Sequence, residues 1–178
     1  MRATIRLASR RGWAETTVDD IAAAAGVSPR TFFRYFPTKV DALFADVPER
    51  LETIERALAE RAEGESVLAA VRRAVLEFVT EFMGDRELYV ARMRIALEHP
   101  DLLGHALVRF TRIEAVIAAA AADALETTAE DVRVPLIGAA ATAAIRSASQ
   151  TWVATDGQAD PREIVNASFD LLEQGLRV

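Results

Sequence analysis

The chain has 178 residues, 51% of them hydrophobic, with eight glycines and six prolines; that is enough to bury one or two small cores and rules out a disordered or fibrous protein. It contains no cysteine, which excludes disulfides and thiolate chemistry, and its longest apolar run, Ala115 to Ala122, falls far short of the roughly 20 residues a membrane span needs. The net charge of −6 is uneven: seven Lys/Arg face five Asp/Glu through Asp46, and fourteen face twenty-two beyond it, so a polyanionic partner is expected at the N-terminal end.

The first helix is expected to end at Gly12, with Arg2, Arg6 and Arg10 along one face. A second starts at Val18, because Thr17 can cap it while Asp20, three residues on, reaches back to the amide of the cap, and Asp19 and Asp20 suit the positive helix end. Val18, Ile21, Ala22 and Ala25 recur at helical spacing before Gly26, a residue free to turn left-handed and stop the helix. Val27 fills the corner, Ser28 caps a third helix and Pro29 takes its first position, where the missing N–H costs nothing. Thr38 and Asp41 repeat the pattern of Thr17 and Asp20, so a further helix begins beside Lys39, the single lysine of the chain.

Two short helices joined by a glycine turn, with arginines on the second, have the layout of a helix-turn-helix. Phe32 and Phe36 lie four apart and pack inward, which leaves Arg30, Thr31, Arg34 and Tyr35 for the other faces. Arg30 and Thr31 occupy the turn that enters the major groove, where arginine can donate two hydrogen bonds to guanine, and Arg34, Tyr35 and Lys39 are read as grips on phosphate.

From Thr17 to Lys39 the sequence TVDDIAAAAGVSPRTFFRYFPTK resembles, without insertion, the N-terminal DNA-binding domain of the tetracycline-repressor (TetR) family of bacterial transcription regulators. The resemblance implies that Thr17, Arg30, Thr31, Tyr35 and Lys39 touch DNA, most of them on phosphate, with Ser28 capping the helix that reads. It departs in two places. Phe33 stands where the family often has a tyrosine that bonds phosphate, and only Met1 to Arg11 precede Gly12, so the basic arm of the family is expected to be trimmed or absent.

Beyond Lys39, amphipathic helices are expected at about 39–62, 66–83, 86–98, 102–125, 130–154 and 161–177, the last opened by Asp160, Pro161 and Glu163. The fold class is therefore all-α, with a three-helix helix-turn-helix domain over 1–46 and a larger helical domain over 47–178. Gly138, Ala141, Ala144, Ala148 and Thr151 let another helix approach closely, and Ile164, Val165, Ser168, Leu171, Leu172 and Leu176 give the final helix an apolar stripe. By resemblance, the last two helices pair with their copies in a homodimer, and the larger domain binds a small molecule that disengages the DNA heads. Phe78, Phe82, Tyr89, Met93, Phe110 and Trp152 are the candidate lining of a cavity for an apolar or acyl-type effector. The form of the C-terminal half resembles actinobacterial members with an acyl-CoA-like ligand domain.

Enzyme chemistry has little support. His99 and His105 lie six apart around Pro100, acid pairs such as Glu77/Glu81 and Glu126/Glu130 read as solvated faces, and there is no glycine-rich phosphate loop. The expectation is a dimeric, cytoplasmic transcription regulator, most readily a repressor, that binds a palindromic duplex operator, needs no cofactor or metal and is released by a small effector. The alternatives are a regulator of the same build without an effector, or a helical-bundle enzyme or binding module.

Overall fold

The computed structural model describes residues 1–82 and 85–175, and their side chains save at positions 47, 81, 82, 103, 106, 107 and 109. The described residues form ten α-helices: α1 (Arg2–Arg11), α2 (Val18–Ala24), α3 (Pro29–Tyr35), α4 (Lys39–Leu43), α5 (Val47–Ala59), α6 (Val67–Phe82), α7 (Arg86–Glu98), α8 (Pro100–Ala124), α9 (Arg133–Ala154) and α10 (Pro161–Glu173). Among these residues there is no strand. Starts expected from capping chemistry are found where expected, at Thr17, Ser28, Thr38 and Asp160.

Boundaries differ from expectation at several places, among them a C-terminal helix that ends at Glu173 where 177 was expected. The helix expected over 39–62 is two, because the chain leaves helical geometry at Phe44 (φ −119°, ψ 33°), which is buried, and Asp46 turns onto the guanidinium of Arg92. Pro100, which falls between the helices expected over 86–98 and 102–125, occupies the first turn of α8, the one helical site where its missing N–H is harmless. Likewise α9 begins at Arg133, since Thr128 to Asp131 form a turn whose carboxylate receives the Arg133 amide at 2.9 Å.

Two compact units divide the chain, and neither is continuous: residues 1–48 with 85–107, and 49–84 with 108–178. The linear division at 46/47 read from sequence thus meets a unit in which α7 joins the N-terminal helices. In that first unit one core holds Ile21, Ala22, Phe32 and Ala42, with Leu7, Val18 and Phe36 against it. A second core joins Ile5, Ala8, Trp13, Leu43 and Phe44 to Ile95, Ala96 and Leu102, so α7 covers the apolar side of α1.

The second unit is built on Ile54, Val71, Ala74, Ile117, Ala121, Ala141, Ala144, Ala148, Val165 and Phe169, to which α5, α6, α8, α9 and α10 all contribute. The small residues of α9 do bring helices close: a Cβ at Gly138 would lie 2.7 Å from the backbone oxygen of Glu114 on α8. Gly138→Ala therefore sets a helix-propensity gain of about 1 kcal/mol against overpacking of about 1–3 kcal/mol. Because backbone blocks the added methyl, net destabilisation of up to about 2 kcal/mol is expected in urea unfolding; unchanged or raised stability would show that the α8–α9 contact relaxes freely. On α10, Val165 is buried, Ile164 and Leu172 pack against the core, and Leu171 is exposed, as are Val132 and Leu136 near the start of α9. Leu176 lies outside the described residues.

Candidate nucleic-acid interface

The loop before α2 is held by reciprocal hydrogen bonds. The Asp20 amide donates to Thr17 Oγ1 (3.1 Å), while the Thr17 amide and hydroxyl both donate to Asp20 Oδ2 (3.2 and 2.7 Å). These bonds from Thr17, with the nearby Arg11 guanidinium, hold the Asp20 carboxyl below the usual carboxylate range. Thr17, read as a DNA contact, thus has both its donors committed to the cap. A carboxylate whose native pKa is lowered contributes stability above the unfolded range, and that contribution is lost as pH falls through the native value. Asp20→Asn is accordingly expected to remove an acid-side step from the pH dependence of stability, followed by thermal unfolding between neutral and acidic pH; an unaltered profile would show that this cap does not titrate with folding.

Gly26 adopts φ 69°, the left-handed geometry that its lack of a side chain permits, and sends the chain into α3. There Ser28 Oγ accepts from the Thr31 amide at 3.1 Å and lies 3.0 Å from the Thr31 hydroxyl, with Pro29 at the first position. Phe32 is 4% exposed and anchors the helix, while Arg30, Arg34 and Tyr35 face solvent. Arg34 donates to Tyr35 Oη at 3.3 Å and its guanidinium lies 4.9 Å from the centre of that ring. Ser28, Arg30, Thr31, Arg34 and Tyr35 are therefore gathered on one short helix and its cap.

Lys39 is placed differently from the phosphate grip read from sequence. Its ammonium donates to the carbonyls of Trp13 (2.9 Å) and Thr16 (3.1 Å) and lies 4.5 Å from the centre of the Trp13 ring. It clamps the loop between α1 and α2 to the start of α4, next to the Thr17 cap. The capping box at Thr38 and Asp41 fixes the backbone from which this lysine projects. Trp13, 3% exposed and central to the clamp, carries no signal in sequence beyond its size.

The candidate effector residues fall into both compact units. Tyr89 and Met93 belong to the first; Tyr89 is buried beneath the Arg92 guanidinium, 4.9 Å from its ring centre, and Met93 is half-buried. Phe78, Phe110 and Trp152 belong to the second: the first two are half-buried, Phe78 with the Arg50 guanidinium 3.9 Å from its ring centre, and the buried Trp152 indole donates to the Ala159 carbonyl at 3.0 Å. The Phe82 side chain lies outside the described residues. The first unit holds a cavity of about 280 Å³ between α1 and α7, floored by Ala8, Trp13 and Ile95 and rimmed by Arg94, Glu98 and His99; it includes none of the six.

Residues 1–47 match the family model for bacterial regulatory proteins of the tetR family, and residues 65–177 match the model for the MftR C-terminal domain. A candidate mycofactocin biosynthesis transcriptional regulator, MftR of Mycobacterium tuberculosis, is 27% identical over 172 residues, covering 97% of this chain and 86% of that protein. The HTH-type transcriptional regulator TcmR of Streptomyces glaucescens is 36% identical over 124 residues, 66% of this chain and 55% of the relative. Among solved structures, FadR of Thermus thermophilus, a TetR-family repressor in complex with lauroyl-CoA, superposes with a TM-score of 0.62 at 26% identity over 99% of this chain and 93% of its own. FadR of Bacillus subtilis in complex with stearoyl-CoA gives 0.69 at 20% identity over 98% and 96%.

Proposed function

The chain belongs to the tetR family of bacterial transcription regulators, and from that membership we propose that it is a homodimeric repressor released from a palindromic operator by an acyl-type effector. The observation that carries the DNA-reading part is α3 itself: a helix of seven residues, fixed by the Ser28 cap and buried Phe32, that presents Arg30, Arg34 and Tyr35 to solvent. Arg30 reads a base edge from the first turn; Arg34 and Tyr35 hold phosphate. The lauroyl-CoA and stearoyl-CoA of the two FadR structures support a long-chain acyl thioester as the class of effector, and Phe78, Phe110 and Trp152 support the second unit as the region of its binding. Exposed Leu171, Val132 and Leu136 support an association face on the last two helices. No helix among the described residues is long and apolar enough to cross a membrane.

Selection of bound fragments from genomic DNA tests this reading, followed by titration of the recovered duplex. The expected result is an inverted repeat bound by a dimer, with affinity lowered about 5- to 150-fold by lauroyl- or stearoyl-CoA, and the acyl-CoA weakened by operator through the same factor. Arg30→Ala should cost roughly 1–3 kcal/mol and flatten preference at one base pair in each half-site. Recovery of fragments with no common repeat, or one-to-one binding by a monomer in light scattering, would overturn the operator and dimer assignments. Operator binding indifferent to acyl-CoA would overturn the effector alone.

A further inference from the structure

An α-helix turns by about 100° per residue, so with buried Phe32 marking the inward direction, Arg30 and Arg34 lie within about 20° of straight outward. The two flanks between these directions differ in chemistry. One carries Thr31 and Tyr35, with hydroxyls engaged to Ser28 and Arg34. The other carries Pro29 and Phe33 and offers no hydrogen-bonding side chain. Phe33 is 53% exposed, yet it is not loosely held: its ring meets that of Phe32 edge-on, centres 5.6 Å apart and planes at 89°. Phe32 in turn sits in the core with Ile21, Ala22 and Ala42.

A fixed phenyl ring left in water beside the outward arginines has a definite complement on a duplex. The one apolar group that base pairs present in the major groove is the C5-methyl of thymine, and a ring without a hydroxyl has nothing to offer a phosphate oxygen. We propose that Phe33 is a specificity residue that reads a thymine methyl adjacent to the base pair met by Arg30, which lies three residues earlier on α3. The proposal rests on the assignment of α3 as the DNA reader. Sequence alone showed only that the hydroxyl is missing at this position; the exposure and the edge-on support of Phe32 turn that loss into an apolar reading surface.

The test uses the full chain and the selected operator, with thymines replaced one position at a time by deoxyuridine, which removes the methyl and leaves the hydrogen-bonding edge intact. At one position per half-site, uracil should weaken the wild-type protein about fourfold, the worth of one buried methyl-sized group, and should change Phe33→Ala by less than about twofold. Phe33→Leu, which keeps an apolar side chain, should retain part of the discrimination, and helical circular dichroism should match wild type for both variants because the ring is exposed. Indifference of the wild type to every uracil, or an equal penalty in Phe33→Ala, overturns the proposal while Arg30-dependent sequence preference persists. Absence of any duplex binding by the wild type overturns the DNA reading and this inference together.

Discussion

Arg92→Ala is expected to cost about 3–5 kcal/mol of stability, because it removes a guanidinium that is buried against the Asp46 carboxylate in the interior of the first unit. Arg92 is 2% exposed and Asp46 8%, and the guanidinium Nη1 donates to Asp46 Oδ1 at 2.5 Å, with Met1 Sδ at 3.6 Å and the Tyr89 ring beside it. Two charges withdrawn from water lose hydration, and their mutual attraction compensates only while both are present. A double variant, Asp46→Leu with Arg92→Met, should therefore lose much less than the single change. Chemical unfolding of the full chain measures both; a loss below about 1 kcal/mol for Arg92→Ala would show that water or a neighbouring cation compensates Asp46 in its place. Since Asp46 sits where α4 gives way to α5, the single variant should also bind operator more weakly than its remaining folded fraction accounts for.

Lys39→Ala is expected to lower the stability of the DNA-free protein by about 1.5–3 kcal/mol, the range for hydrogen bonds that involve a charged group. A lysine that only gripped phosphate would leave the free protein unchanged. The distinction follows from geometry: two of the three ammonium donors already meet the Trp13 and Thr16 carbonyls, and the indole ring flanks the charge. In the same variant, operator binding should weaken for all sequences alike, and the salt dependence should lessen by about one unit per subunit only if the ammonium also meets a phosphate. Unaltered stability with a reduced salt slope would restore the reading of Lys39 as a grip. Reduced stability with an unaltered slope would assign it wholly to placing the loop that carries Thr17.

What the amino-acid order determined by itself are features whose causes lie within a few residues. Thr17 with Asp20, Ser28 with Pro29, Thr38 with Asp41 and Asp160 with Pro161 each satisfy orphan amides of a helix start, so these boundaries and the turn at Gly26 were legible. The four-residue spacing of Phe32 and Phe36 likewise told which side of α3 is inward. Helical periodicity says that a face is apolar, but not which partner covers it, and the features decided only by tertiary structure depend on that partner. The break at Phe44 to Asp46 follows from an arginine 46 residues away, the clamp of Lys39 from carbonyls 26 and 23 residues earlier, and the place of α7 in the first unit from the apolar side of α1. Whether an arginine, a lysine or a phenylalanine is solvated, paired or exposed is a property of its surroundings after folding: Arg92 is withdrawn from water and Phe33 left in it because packing, not residue type, sets the free energy of each.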